Sequence, residues 1–311
     1  MVATGAAPAT ARGTEHKAPS RVAFTHPAEN STVNSFCQPT PPRPCPHTND
    51  VWSGYTLSPA PGRPFASVSA NWVQPSATCP EVDAWALFWV GLDGWSSGDS
   101  STVEQGGTSA ECTTNPSGRT IVSYSAWWEM YPTNSVILTF PIAVGDHISA
   151  SVVYSSTDST YTITVDDVTS GQSLVAVSAT SSAAVNPNTY TVTITQDGVA
   201  TTTGPTSYSP SAVCSLSAPC QNTSAEWVVE APGGNGAPGT LYPLARFRPI
   251  TFRQAAATDD QGDQGGIINT SWVDSAVDLT NTAGKYLASV NRLRKAGTQF
   301  RDVWDKGQLT R

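Results

Sequence analysis

Apolar and polar residues alternate along most of this chain, in short stretches divided by Gly, Pro, Asn and Ser. The clearest are ASVSANWVQ (66–74), AWALFWVGLD (84–93), TIVSYSAWWEMY (120–131), SVILTFPI (135–142), HISASVVY (147–154), TYTITVDD (160–167) and TYTVTITQDG (189–198). A period of two is the mark of a half-buried strand, and short strands at close spacing with no helix between them predict antiparallel sheets. SAEWVVEA (224–231), LARFRPITFRQA (244–255) and GIINTSWVDSAVDLTN (266–281) continue the series. YLASVNRLRKAG (286–297) has a helix-compatible spacing, but we read it as strand and loop. The expected fold is all-β, a sandwich of two antiparallel sheets.

The alternation also assigns faces, because successive side chains of a strand point to opposite sides. Ala225, Trp227 and Val229 share one face, suited to the core; Glu226, Val228 and Glu230 share the other. Trp85, Leu87, Trp89, Gly91 and Asp93 lie together, as do Ser101, Val103 and Gln105. Residues 1–48 lack such a pattern. They are rich in Pro, Ala and Thr, and QPTPPRPCP (38–46) suits neither a helix nor a central strand. We expect a flexible N-terminal segment over 1–48, a linker or propeptide, and one β-sandwich domain over 49–311.

Composition narrows the function classes. Only 13% of the 311 residues are charged and the formal net charge is −8. No basic face suited to nucleic acid is present before the C-terminal end. No apolar run reaches the roughly 18 residues of a membrane-spanning helix. Six cysteines, Cys37, Cys45, Cys79, Cys112, Cys214 and Cys220, in a Lys-poor, Ser/Thr-rich chain suit an oxidising, extracellular setting. Pairing of near neighbours would join Cys37 to Cys45 and Cys214 to Cys220, leaving Cys79 for Cys112. There is no CxxC or HExxH spacing, so neither a metal nor a cofactor is expected. Residues 1–20 lack the apolar centre of a signal peptide, so the extracellular reading implies that such a segment was removed.

Three patterns invite a catalytic reading. Gly94-Trp95-Ser96-Ser97-Gly98 fits G-x-S-x-G, but that motif makes a nucleophile elbow only between a strand and a helix, and Asp99-Ser100-Ser101-Thr102 starts no helix. It reads as a polar loop. No pair of Asp-Thr/Ser-Gly loops marks an aspartic peptidase. Glu226 and Glu230 form a carboxylate pair on one strand face. Their Cα atoms would lie roughly 13 Å apart at ~3.3 Å per residue, against about 5–5.5 Å between the carboxyl groups of a retaining glycosidase.

A set of motifs in order is more specific. Asn49-Asp50-Val51-Trp52-Ser53-Gly54-Tyr55 is followed by Trp89-Val90-Gly91-Leu92-Asp93-Gly94 and Val103-Glu104-Gln105-Gly106-Gly107. Tyr124-Ser125-Ala126-Trp127-Trp128-Glu129-Met130-Tyr131-Pro132, Gly145-Asp146 and Ser224-Ala225-Glu226-Trp227-Val228-Val229-Glu230 come after. In this order they resemble the glutamic endopeptidases, or eqolisins, in particular their bacterial branch, over about residues 49–255.

The resemblance implies a lectin-like (concanavalin-like jelly roll) sandwich with a substrate groove on one sheet. It implies a catalytic pair of Gln105 and Glu226, with Trp52, Trp89, Asp93 and Glu129 lining or supporting the groove. Two departures stand out: Gly106-Gly107-Thr108-Ser109 follows the Gln, with Ser109 where a supporting Asp is often found, and Val51 directly precedes Trp52. The implied protein is a secreted, acid-acting monomer with polypeptide substrates and no nucleic-acid or membrane partner. A non-catalytic lectin-like binding module, and a sandwich glycosidase using Glu226 and Glu230, stay open as alternatives.

Overall fold

A computed structural model describes residues 46–95, 102–131, 133–138, 140–179, 189–207, 221–233 and 241–308, with two short strands upstream. Among these residues every regular element is a strand.

One hydrogen-bonded path runs through the molecule and folds over into two layers. The first layer begins with β1 (Ser20–Val22), which pairs with β10 (Ser135–Ile137). Next come β9 (Thr120–Tyr131), β8 (Val103–Thr114), β7 (Trp85–Leu92), β16 (Ala225–Glu230), β4 (Trp52–Pro59) and β20 (Trp272–Thr280), each antiparallel to its neighbour. The path turns through β21 (Tyr286–Val290) and β22 (Gln299–Gln308) into the second layer. That layer continues with β18 (Ile250–Asp259), β5 (Phe65–Val73), β11 (His147–Ser155) and β12 (Thr160–Asp167). It ends with β13 (Gln172–Ala179), β14 (Thr189–Gln196) and β15 (Val199–Ser207). Short strands complete the set: β2 (Thr32–Val33), β3 (His47–Asn49), β6 (Ala77–Thr78), β17 (Arg246–Phe247) and β19 (Gln264–Gly265). Of the segment 1–48, β1 and β2 each pair with another strand.

The main core fills the space between the layers. Phe88, Val90, Trp128 and Trp227 of the first layer meet Trp72, Val152, Ile163, Val165 and Phe252 of the second. Two indoles tie the layers with hydrogen bonds: Trp72 Nε1 donates to Thr108 Oγ1 (3.2 Å) and Trp227 Nε1 to the Ser69 carbonyl (2.8 Å). These pairings satisfy buried N–H groups that would otherwise be costly. A second, smaller apolar cluster lies on the outer face of the first layer: Trp52, Leu87, Trp89, Trp95, Trp127, Ile137, Val228 and Val277.

The predicted alternation is thereby resolved into its two faces. Ala225, Trp227 and Val229 enter the core, while Val228 joins the outer cluster. Segment 286–297 is strand followed by loop, without a helix. Several strands lie outside the expected stretches, among them β4, β8, β13, β15 and β22. β13 is Ala/Ser-rich, β15 contains Gly204-Pro205, β22 is dense in charge, and β8 holds the Gly106-Gly107 pair. Each departs from the β-branched alternation that marks a strand by itself, and each is held by its neighbour's ladder. Cys79 and Cys112 form a disulfide with Cα atoms 5.6 Å apart, as near-neighbour pairing left them. The other two expected pairs, Cys37–Cys45 and Cys214–Cys220, lie outside the described residues, as does Ser96.

Candidate active site

The site is a single transverse row on the outer face of the first layer. Directly opposed residues of paired strands share a face, and register therefore decides which side chains meet. Gln105 on β8 stands opposite Gly91 on β7, and Gly91 stands opposite Glu226 on β16. On one flank Glu129 of β9 opposes Gln105; on the other Thr56 of β4 opposes Glu226. The row reads Thr56, Glu226, Gly91, Gln105, Glu129.

At about 4.8 Å per strand, Glu226 and Gln105 have Cα atoms roughly 10 Å apart. Their long side chains project on the same side of a residue that has none. The Trp89 ring and Gln105 pack closely against Gly91. A Cβ built there would stand 2.8 Å from Trp89 Cζ3, 3.2 Å from Gln105 Cβ and 3.2 Å from the Glu104 carbonyl oxygen. An amide and a carboxylate facing across a gap can hold a water and a carbonyl between them.

Hydrogen bonds set the orientation of the Gln. Gln105 Nε2 donates to Glu129 Oε2 at 3.0 Å. The amide nitrogen carries two N–H groups, and this bond uses one of them. Gln105, Glu129 and Glu226 are all buried.

The next row along the strands is apolar: Val228, Trp89, Gly107, Trp127 and Ile137 stand opposite one another in turn. Gly107 is required by close approach, because a Cβ there would sit 2.0 Å from the Phe88 carbonyl oxygen. Trp89 and Trp127 stand on either side of Gly107, in the apolar cluster beside the polar row. The third row holds Trp52, Glu230, Leu87, Ser109 and Ser125. Trp89 Nε1 donates to Glu230 Oε2 at 2.7 Å, and the Trp52 ring meets Trp89 edge-on with centroids 5.1 Å apart. Ser109 and Ser125 share a hydroxyl hydrogen bond of 2.7 Å. Asn49 Oδ1 accepts from the backbone N–H groups of Val51 (2.7 Å) and Trp52 (2.9 Å), which fixes the entry into β4 although Val51 precedes the Trp.

Of the residues expected at the groove, Gln105, Glu226, Trp89, Glu129 and Trp52 are brought onto one face. Asp93, just past the end of β7, has a supporting place. Its carboxylate accepts from the backbone N–H groups of Asn222 (2.9 Å) and Thr223 (2.6 Å) and from the Thr223 hydroxyl (3.1 Å), anchoring the turn into β16. Burial raises its pKa, with those hydrogen bonds opposing. Behind Gln105, on the core side of β8, burial holds Glu104 well above the usual carboxyl range, and the nearby Asp93 charge adds to the effect.

Reading the sequence did not single out Thr56, Gly91 or Gly107 as parts of the site, nor Glu230 as the partner of the Trp89 indole. It left Trp127 and Trp128 undivided. Trp127 lies on the outer face and Trp128 in the core. Strand parity carried that division, since Trp127 opposes Gly107 and shares its face. A cavity of about 500 Å³ on the second layer, bordered by Trp72, His147, Arg253 and Lys295, contains none of the row.

Comparison with known proteins bears on the family and the fold. The model of the Peptidase A4 family matches residues 50–188 and 174–296. The fold is similar to that of scytalidoglutamic peptidase, solved with a peptide-based transition-state analogue. The TM-score is 0.56 at 21% identity, over 82% of this chain and 98% of that one. It is also similar to SCP-B, an eqolisin solved with the tripeptide Ala-Ile-His, at TM-score 0.54 and 19% identity over the same shares. No curated protein matches the sequence.

Proposed function

Since this chain belongs to the Peptidase A4 family, the glutamic peptidases, we propose that Glu226 and Gln105 are its catalytic pair and that it cleaves polypeptides in acid. The observation that carries the assignment is the row itself: a Glu and a Gln on one face, either side of the same glycine.

In this reading a water lies between the two side chains. Glu226 takes a proton from the water as its oxygen bonds to the scissile carbonyl carbon. The carbonyl oxygen gains negative charge and accepts a hydrogen bond from Gln105 Nε2. Glu226 then returns the proton to the amide nitrogen, the C–N bond breaks, and the amine leaves. A carboxylate suits mild acid, where it can still accept a proton. Because the partner is an uncharged amide, the pair lacks the repulsion that separates the titrations of two carboxylates sharing one site. The Trp89/Trp127 cluster would take apolar side chains of the substrate.

The N-terminal segment would hold the enzyme latent. Both catalytic candidates are 0% exposed, so a polypeptide reaches them only after a covering part of the chain moves. β1 extends the site-bearing layer at β10, whose Ile137 belongs to the outer apolar cluster. His47 packs edge-on against Trp95 of the same face, with ring centroids 5.5 Å apart. Removal of residues 1–48 should therefore raise the rate of cleavage; equal rates before and after trimming would refute latency. Secretion is supported by the Cys79–Cys112 disulfide. Among the described residues no helix is long and apolar enough to cross a membrane.

The deciding experiment is digestion of an acid-unfolded protein at about pH 4, near the titration of an ordinary Glu. Wild type and Glu226→Gln run side by side with inhibitors of serine, metallo and aspartic peptidases. Cleavage by wild type alone is expected. Equal cleavage by the variant would remove Glu226 from the mechanism. No cleavage by either, even after trimming, would favour a sandwich that binds without cutting.

A further inference from the structure

One member of the polar row has no assignment. Thr56 is directly opposite Glu226, on the side away from Gly91 and Gln105. It is 1% exposed, and its hydroxyl has no hydrogen-bond partner. A buried hydroxyl without a partner is destabilising, and such groups are retained where they serve a function. A threonine is also an odd choice here on packing grounds, because valine has the same shape without the polar atom.

We propose that Thr56 is the positioning residue of the Glu226 base. This rests on the assignment of Glu226 made above. Opposed residues of an antiparallel pair have Cβ atoms about 4.5–5.5 Å apart. A turn about χ1 of Thr56 therefore brings its hydroxyl to the Glu226 carboxylate. There it donates to the oxygen turned away from Gly91, and the other oxygen stays directed at the water. A hydroxyl suits both halves of the reaction. It donates to the carboxylate, and after Glu226 has taken the proton it can accept from the carboxylic acid. Gln105 cannot do this work, because it stands across the gap and is engaged by Glu129.

The other titratable groups facing this surface among the described residues are Glu129, Glu230, Glu111, Asp93, His47, Tyr131 and Tyr242. None of them stands in the row on the Thr56 side of Glu226. A hydrogen bond donated to the ionised form favours that form and lowers its pKa. Thr56 thereby sets how far into acid Glu226 remains a base.

The test uses the N-terminally trimmed enzyme with Thr56→Val, Thr56→Ser and Glu226→Gln, scored for kcat, KM, the pH profile of kcat/KM and Tm. For Thr56→Val we expect kcat to fall about tenfold, with KM little changed. The acid limb should move up by about one pH unit, as for loss of one hydrogen bond to a charged group. Its Tm should be equal or higher, because an unmatched hydroxyl has been replaced by a methyl. Thr56→Ser should restore both kcat and the acid limb. An unshifted acid limb in Thr56→Val, or no rescue by Ser, would overturn the proposal. Should Thr56→Val not fold, Thr56→Ala takes its place with the same reading. Activity in Glu226→Gln is a separate failure, because it removes the base itself.

Discussion

Glu226 and Gln105 stand on the two strands that flank β7 and oppose the same residue, Gly91. In the proposed mechanism the working unit is a gap between these two polar groups. This makes the floor of the gap as consequential as its walls.

Gly91→Ala tests the gap. The added methyl would crowd Trp89 Cζ3 at 2.8 Å and Gln105 Cβ at 3.2 Å. Overpacking of this kind typically costs about 1–3 kcal/mol. We expect Tm to fall by a few degrees but kcat/KM to fall about a hundredfold, since the methyl would displace Trp89 and Gln105 beside the proposed catalytic pair. Steady-state kinetics and thermal unfolding of the same preparation separate the two effects. Activity close to wild type would mean that the reaction takes place elsewhere.

The bond from Gln105 Nε2 to Glu129 Oε2 carries its own expectation. Without an acceptor at 129 the amide can rotate, and the donor role proposed for Gln105 loses its orientation. Glu129→Ala should lower kcat by about ten- to a hundredfold. That is less than the 10²–10³-fold typical of losing an oxyanion donor itself. Glu129→Gln keeps an acceptor and should lose less. Single-turnover rates would show whether the chemical step is the one slowed.

Glu230 is expected to act through Trp89. Its carboxylate accepts from the indole at 2.7 Å, and a hydrogen bond to a charged buried group contributes about 1.5–3 kcal/mol. Glu230→Ala should weaken binding of substrates with large apolar side chains, seen as a raised KM, and lower Tm. Glu230→Gln retains an acceptor and should stay active on polypeptides. Complete loss of peptidase activity in Glu230→Gln would instead place Glu230 in the chemistry.

Stability should decline from acid to neutral pH. Burial raises Glu104 and Asp93, and it lifts Glu111 to about 7, with repulsion from Asp83 as the second cause. A carboxyl whose pKa is higher in the folded protein than in the unfolded chain binds more protons when folded. Its contribution is full below the unfolded value near ~4.3 and is lost as pH climbs through the folded value. For Glu111 that window runs from the unfolded value up to about 7. Tm measured from pH 4 to pH 8 should therefore fall with pH. Glu104→Gln, which removes the ionisation behind Gln105, should flatten the curve. A Tm that rises towards neutrality would contradict this balance.

Much of this protein was legible in one dimension because strand geometry is local. Alternation placed Glu226 and Val228 opposite Ala225 and Trp227, and it put Trp89 and Gly91 on a common face. The motif order from Trp52 to Glu230 marked the family, and Cys79 and Cys112 were paired by elimination among neighbours. Each of these depends on residue type and short spacing, which the backbone converts directly into direction.

Register between distant strands has no such local origin. β16 enters between β7 and β4 from more than a hundred positions along the chain, and only the packed sandwich determines which residue each of its side chains opposes. That pairing placed Glu226 over Gly91 with Thr56 behind it, and it gave the Trp89 indole to Glu230. It also divided adjacent tryptophans, sending Trp128 into the core and Trp127 to the outer cluster. The sequence by itself determined which side chains could share a face. The tertiary structure decided which of them meet, because a cross-strand contact is set by the alignment of two separate segments and by the burial that rewards one alignment over a slip of one residue.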